Sequence, residues 1–245
     1  MASGEAEGVG ALYNNSGKPS LGELAQSRFL QQLDPSAISA VLGAAKQQRY
    51  PAKSIIFRQD ARAEQLFMVG SGQARYFYVT WSGKKMILAW LRPGEIVGLK
   101  AMLSSRSLYL VSAETISESD LLVWDSTTVR SLAMRYPGLW ENALWVASDY
   151  FTLYIATHTT LVSHTARRRL ADLLITLAEG LGRSVNQGIE LNITNEELAN
   201  AANVTHFTAS RLIREWQRQG ILEKYRGRIL LRSPEALSSR PKLRA

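Results

Sequence analysis

The chain contains no cysteine. That absence excludes disulfides, thiolate zinc sites and cysteine-held iron–sulfur clusters, each of which needs sulfur as bond or ligand. Histidine is nearly as scarce, with only His158, His164 and His206 among 245 residues. Three scattered imidazoles make no triad, and there is no HExxH, no phosphate-cradling glycine loop and no nucleophile elbow. Gly70-Ser71-Gly72 reads as a turn between strands, so an enzyme is not expected. No apolar run approaches the ~18 residues of a membrane span, and the N-terminus lacks the apolar core of a signal peptide. These absences predict a soluble, cytoplasmic protein without a membrane partner.

What is present points to a polyanion. The hydrophobic content of 46% is enough for a sizeable core, and the length suggests two domains. From Thr165 onward there are 14 Lys and Arg against 8 Asp and Glu, so this third holds +6 of the formal net charge of +8. Such asymmetry is the electrostatic footprint of a nucleic-acid binder. The same third contains ITNEELANAANVTHFTASRLIREWQRQGIL, Ile193 to Leu222. Thr194 and Glu197 have the spacing of a capping box, Leu198 and Ala202 give a small buried face, and Asn203 suits a left-handed corner. Thr205 is a second cap, and Leu212, Ile213 and Trp216 recur behind it at helical spacing. This is the pattern of a helix-turn-helix, with double-stranded DNA as the expected partner.

The rest of the chain divides by texture. Residues 1 to about 20, rich in Gly, Ala, Ser and Asn, show no period and predict a disordered arm. Asp34-Pro35 opens a short helix. From Ser54 to Trp124, the runs IIF, QLFMV, QARYFYVTW, MILAWL, LYLVSAET and DLLVW are punctuated by Asp60-Ala61, Ser71-Gly72, Ser82-Gly83 and Pro93-Gly94. Many short strands with regular turns predict a β sandwich or jelly roll. Ser126 is the expected cap of a helix to Ala133. A long helix follows from Pro137 to Val162. Along it Leu139, Ala143, Val146, Tyr150, Leu153, Thr157, Thr160 and His164 form a heptad seam for a homodimer. Trp140, Leu144, Ala147, Phe151 and Ile155 form a second stripe, expected to pack on the β domain. A hinge is expected at Ser163–Arg167, then a helix to Gly180, a short strand near Leu191 and Ile193, and a winged hairpin turning at Arg226-Gly227.

In this order, the parts resemble the Crp/Fnr family of bacterial transcription regulators. IIFRQDARAEQLFMVGSGQARYFYV, LRPGEIVG, YPGLW and the helix-turn-helix carry the resemblance over residues 28 to 232. It implies an α+β chain: a β-roll sensor over 21–135, a dimerisation helix and hinge over 136–164, and a winged helix-turn-helix over 165–234. A flexible basic tail follows over 235–245. It also implies a homodimer on a pseudo-palindromic DNA site, with RNA polymerase as a further partner. A ligand-sensing module acting mainly through protein contacts is the alternative.

Departures from the family pattern bear on the effector. Cyclic-nucleotide-binding members carry a Glu after the Gly-Glu-x-x-Gly segment to hold the ribose, and an Arg-Ser pair to hold the phosphate. Here Gly94-Glu95-Ile96-Val97-Gly98 is followed by Leu99 and Lys100, while Ser107 and Leu108 occupy the Arg-Ser positions. Arg106 stands one residue early, which in a strand means the opposite face unless a bulge restores it. Tyr154 and Ile155 replace the Thr-Ser pair that meets adenine. A phosphate without a positioned Arg is poorly held, so cyclic AMP is disfavoured. Leu99, Leu108, Leu110, Tyr154 and Ile155 predict either a pocket for an apolar ligand or plain core. Haem, which His158 or His164 would have to ligate, is the remaining cofactor alternative.

The resemblance places His206, Phe207 and Arg211 at the base-reading positions, with Ser210 beside them. Arg211 keeps bidentate geometry for guanine O6 and N7, whereas Phe207 replaces a Glu and suits a thymine methyl. Thr205, Thr208, Arg214, Arg218, Lys224, Arg226 and Arg228 suit phosphates. Arg167, Arg168 and Arg169 are either further backbone contacts or a solvated helix start.

Overall fold

The alternation of short apolar runs and turn residues builds two facing antiparallel sheets in a computed structural model, which describes residues 24–103 and 106–238. The expected N-terminal arm lies outside the described residues. Helix α1 (Pro35–Gly43) begins with Pro at its first turn, and the Asp34 carboxylate accepts from the Ala37 N–H. The strands β1 (Lys46–Tyr50), β2 (Ile55–Phe57), β3 (Gln65–Val69), β4 (Ala74–Val79), β5 (Lys85–Leu91), β6 (Ile96–Val97), β7 (Ser112–Thr115) and β8 (Ser119–Asp125) follow. One sheet has the order β1-β8-β3-β6 and the other β2-β7-β4-β5. All four predicted turns contain a residue at positive φ: Asp60, Gly72, Gly83 and Gly94.

Leu66, Phe67, Met68, Leu91, Leu121 and Trp124 belong to one buried core on both faces of the inner strands. The Trp124 indole N–H donates to the Val41 carbonyl at 2.8 Å, which fastens α1 to this core. Strands β1 and β6 were not predicted. KQQRY is polar because β1 is an edge strand, paired only with β8. Conversely, LYLVSAET is strand only from Ser112; its first half forms a single bridge, Arg62 to Leu108.

Helix α2 (Ser126–Arg135) starts after Asp125, one residue before the expected cap, and makes no side-chain capping bond. Helix α3 (Gly138–Ser163) is the long helix. Its stripes divide differently from those predicted: Trp140 packs on the roll as expected, but so does the upper part of the expected seam. Leu139 and Ala143 are buried in the β-roll core, with Trp140 and Tyr150 packed against it, and Val146 is buried as well. By contrast Leu144 (72% exposed), Trp145, Phe151 (64% exposed), Tyr154, Ile155 and Val162 face outward. Leu153 and Thr157, lower on the predicted seam, are exposed as well. Leu144, Phe151 and Ile155 of the expected second stripe are therefore left free, and Val162 continues their heptad spacing. The cause is that α3 is apolar on most sides, so periodicity alone does not say which side meets the sheet. The Tyr150 hydroxyl decides it, donating to the Ile96 carbonyl at 3.2 Å.

The helix ends at His164, whose backbone is extended, and Thr165 caps α4 (Ala166–Leu181) by accepting from Arg168 N–H. Strands β9 (Arg183–Val185) and β10 (Gly188–Leu191), helices α5 (Asn195–Ala201) and α6 (His206–Arg218), and the wing β11 (Leu222–Tyr225) and β12 (Arg228–Leu231) complete a second unit. Its sheet has the order β11-β12-β10-β9. Its own core is built from Leu170, Leu174, Leu198, Leu212, Ile213 and Trp216. The first residues of the expected tail, 235–238, belong to a final helix α7 (Pro234–Ser238) that buries Leu237 in this core. That leucine supplies the apolar anchor that composition alone did not reveal.

Candidate nucleic-acid interface

The recognition surface is built from two capped helices. The Thr194 hydroxyl accepts from the Glu197 N–H at 3.2 Å, and the Glu197 carboxylate accepts from the Thr194 N–H at 2.8 Å. Asn203 turns the corner at φ 48°. Thr205 then accepts from the Thr208 N–H at 3.1 Å and starts α6. Ala209, Leu212, Ile213 and Trp216 are buried on one side of α6, and the opposite side presents Phe207, Arg211, Arg214 and Arg218 to solvent. His206 is exposed at the N-terminal end. Among the described residues, Arg211 and Arg218 make no ion pair, so their charge is uncancelled by the protein.

Other expected contacts are drawn inward. Ser210 is half-buried and its hydroxyl accepts from Asn195 Nδ2 at 2.9 Å, so it serves the packing of α5 on α6. On the wing, Lys224 and Arg226 are exposed. Arg228 instead pairs with Glu190 at 3.1 Å, over the Tyr225 ring. The three consecutive arginines each have partners within the protein. Arg167 pairs with Glu215 at 2.7 Å, and Arg168 with Asp172 at 2.9 Å. Arg169 donates to the carbonyls of Ala202, Asn203 and His164 at 2.9–3.0 Å.

One carboxylate at this surface is electrostatically distinct. Burial of Glu197 opposes its ionisation, but hydrogen bonds from the Thr194 backbone and the Arg75 guanidinium outweigh that, and its carboxyl lies below the ordinary value. Its contribution to stability is present at neutral pH and is lost as pH falls through that lowered value.

The expected effector residues are not brought together. Gly94 and Gly98 both form left-handed turns, at φ 86° and 87°. Leu99 packs on the β-roll core and Lys100 is half-buried. Arg106, Leu108, Leu110, Tyr154 and Ile155 are exposed, so no bulge turns Arg106 into the roll. His158 lies on the exposed stretch of α3, stacked on Tyr154, and His164 contacts Asp172 at 3.3 Å. Neither imidazole faces an enclosed space that fits haem.

Sequence reading missed what occupies the interior. Phe57 stacks on Tyr109 with ring centres 3.8 Å apart, and Tyr76 meets Tyr150 edge-on at 5.6 Å. Their hydroxyls are satisfied: Tyr76 accepts from the Gly98 N–H, and Tyr109 donates to the Gln65 carbonyl. Burial pushes the Tyr76 phenol up to about 12. A Cβ on Gly98 would lie 3.1 Å from the Tyr109 ring and 3.2 Å from that of Phe57, so the turn closes directly on this cluster. The signal was available as aromatic residues on separate segments of the chain, but only the fold brings them together. If these rings fill the roll, Phe57→Ala costs about 3–5 kcal/mol in denaturant unfolding; a hollow pocket would register much less.

Comparison with known proteins agrees with this architecture. Residues 47–136 match the cyclic nucleotide-binding domain, and residues 168–240 match the Crp-like helix-turn-helix domain. The chain belongs to the Crp/Fnr family.

Transcriptional activator protein FnrA of Stutzerimonas stutzeri is 28% identical over 171 residues, 69% of each chain. The cyclic AMP receptor protein of Thermus thermophilus is 26% identical over 212 residues, 86% of this chain and 95% of its own. The structure of CLP, a c-di-GMP-responsive global regulator of Xanthomonas campestris, superposes with a TM-score of 0.73 at 20% identity. It covers 81% of this chain and 99% of that one, a likeness of fold alone. This Crp/Fnr protein is therefore a transcription regulator with a helix-turn-helix DNA-binding domain. No helix among its described residues is long and apolar enough to cross a membrane.

Proposed function

We propose that this regulator acts in the cytoplasm as a homodimer that reads a pseudo-palindromic DNA site without requiring a cyclic nucleotide. The carrying observation is the outward side of α6, where Phe207 lies beside the unpaired guanidinium of Arg211. Arg211 reads a guanine and Phe207 a neighbouring thymine methyl, with His206 at the edge of the same surface. Arg214, Arg218, Lys224 and Arg226 approach phosphates, helped by Thr205 and Thr208. Ser210 and Arg228 have subordinate roles, since protein partners hold them.

Regulators of this family bind DNA and act as dimers. The stripe of Leu144, Phe151, Tyr154, Ile155 and Val162 supplies a seam for the second copy, with His158 at its polar lower end. Leu139, Ala143, Trp140 and Tyr150 hold α3 to its own β roll. The aromatic filling of the roll favours control by abundance over control by a bound molecule. RNA polymerase is the natural recipient of the output.

Selection of DNA from a random pool by the purified protein tests this reading. Enrichment of two inverted half-sites about one helical turn apart, each retaining one guanine, is expected without added nucleotide. Enrichment only after cyclic AMP is added would overturn the effector-free part. Absence of any paired motif would overturn the dimeric part.

A further inference from the structure

A charge network on the outer face of the β roll reaches across to the DNA-binding unit. Arg75 on β4 has a side chain only 12% exposed. Its Nε donates to Glu114 Oε1 on β7 at 2.7 Å, and its Nη1 donates to Glu197 Oε1 on α5 at 2.8 Å. Lys85 Nζ lies 2.6 and 2.7 Å from the two Glu114 oxygens. Glu114 therefore holds two cations, and Arg75 joins a carboxylate of the roll to one of the helix-turn-helix. Glu197 is also the residue that closes the Thr194 capping box. Nearby, Lys84 Nζ donates to Asn203 Oδ1 at 3.3 Å, at the corner before α6. Trp90 of β5 packs against the core of the C-terminal unit.

We infer that Arg75 is a positioning residue for DNA recognition: through Glu197 it fixes how the helix-turn-helix is oriented on the β roll. Exposed ion pairs hold little. This pair is largely shielded from water, and a guanidinium's planar fork makes its bonds directional as well as strong. Undocking would give up these directional bonds at a site largely closed to water, so the pair favours the docked arrangement over a swinging one. That arrangement leaves Phe207 and Arg211 in solvent, so docking presents the reading surface rather than masking it. In a dimer, the orientation of each unit on its own roll sets the separation of the two recognition helices. The contact thus does for this chain what a bound effector would otherwise have to do.

The inference rests on the paired-site reading above, and the experiment separates the two. Full-length wild type, Arg75→Ala, Arg75→Lys and Glu197→Gln are titrated with a paired site, the same site with altered half-site spacing, and a single half-site. Gln at the third helical position still closes a capping box, so Glu197→Gln removes the ion pair and keeps the helix start. Arg75→Ala and Glu197→Gln are each expected to bind the correctly spaced site about tenfold more weakly, the scale of coupling within one charge network. Their affinity for a single half-site is unchanged, and their discrimination between spacings declines. The double variant loses no more than either single variant. Arg75→Lys recovers part of the loss. Thermal unfolding of each variant shows whether it has folded. Full spacing discrimination in folded Arg75→Ala would overturn the proposal alone. A wild type with no preference for paired over single half-sites would overturn the paired-site reading, and the proposal with it.

Discussion

Phe151→Glu is expected to leave the regulator monomeric where the wild type is a dimer, with affinity for a paired site reduced at least about 100-fold through lost avidity. The ring is exposed in the single chain and central to the free stripe of α3. A second copy would bury it, and a carboxylate from each partner would then meet its twin in an apolar seam, which is strongly unfavourable. Because the side chain touches solvent in the monomer, folding of the β roll should be intact. Sedimentation reads the first effect and titration with paired and single half-sites the second. The predicted seam makes the opposite forecast, since Val146→Glu would then separate the subunits. In the observed fold, Val146 is already buried within the single chain, so that variant should destabilise its own fold rather than separate subunits. A Phe151→Glu protein that still sediments as a dimer would refute the seam.

Arg211→Ala has the second large effect, and it concerns specificity more than strength. A bidentate arginine on guanine is worth about 1–3 kcal/mol against the wrong base, and a dimer makes the contact twice. Affinity for the selected site should therefore fall by about 2–6 kcal/mol overall, while binding to a site with both guanines replaced should hardly change. Competition between these two DNAs, at one fixed salt concentration, measures the difference. A uniform loss on every sequence would instead make Arg211 a phosphate contact.

How far the sequence revealed this molecule depended on whether the signal was local. The capping box at Thr194 and Glu197, the corner at Asn203 and the cap at Thr205 each depend on a few neighbouring residues, and all stand as read. The turns at Asp60, Gly72, Gly83 and Gly94 were legible for the same reason. What failed depended on distant partners. Helix α3 offers several apolar stripes, and only the position of the Ile96 carbonyl beside Tyr150 shows which one faces the roll. The Phe57, Tyr76, Tyr109 and Tyr150 cluster joins four separate segments, so no window of sequence contains it. Arg167, Arg168 and Arg169 looked like one basic run. Each nevertheless has a different partner, and two of those partners lie more than 30 residues away.

Arg169 also determines where this molecule is able to bend. Its guanidinium ties the carbonyl of His164, at the foot of α3, to those of Ala202 and Asn203, at the corner before α6. The top of α4 and the elbow of the helix-turn-helix are therefore riveted into one stiff bracket. Any swing of the bracket must pivot above the tethered His164 carbonyl, where α3 ends. The start of α4 and the elbow before α6 therefore move together or not at all, and the Arg75 and Lys84 contacts to the roll oppose that movement.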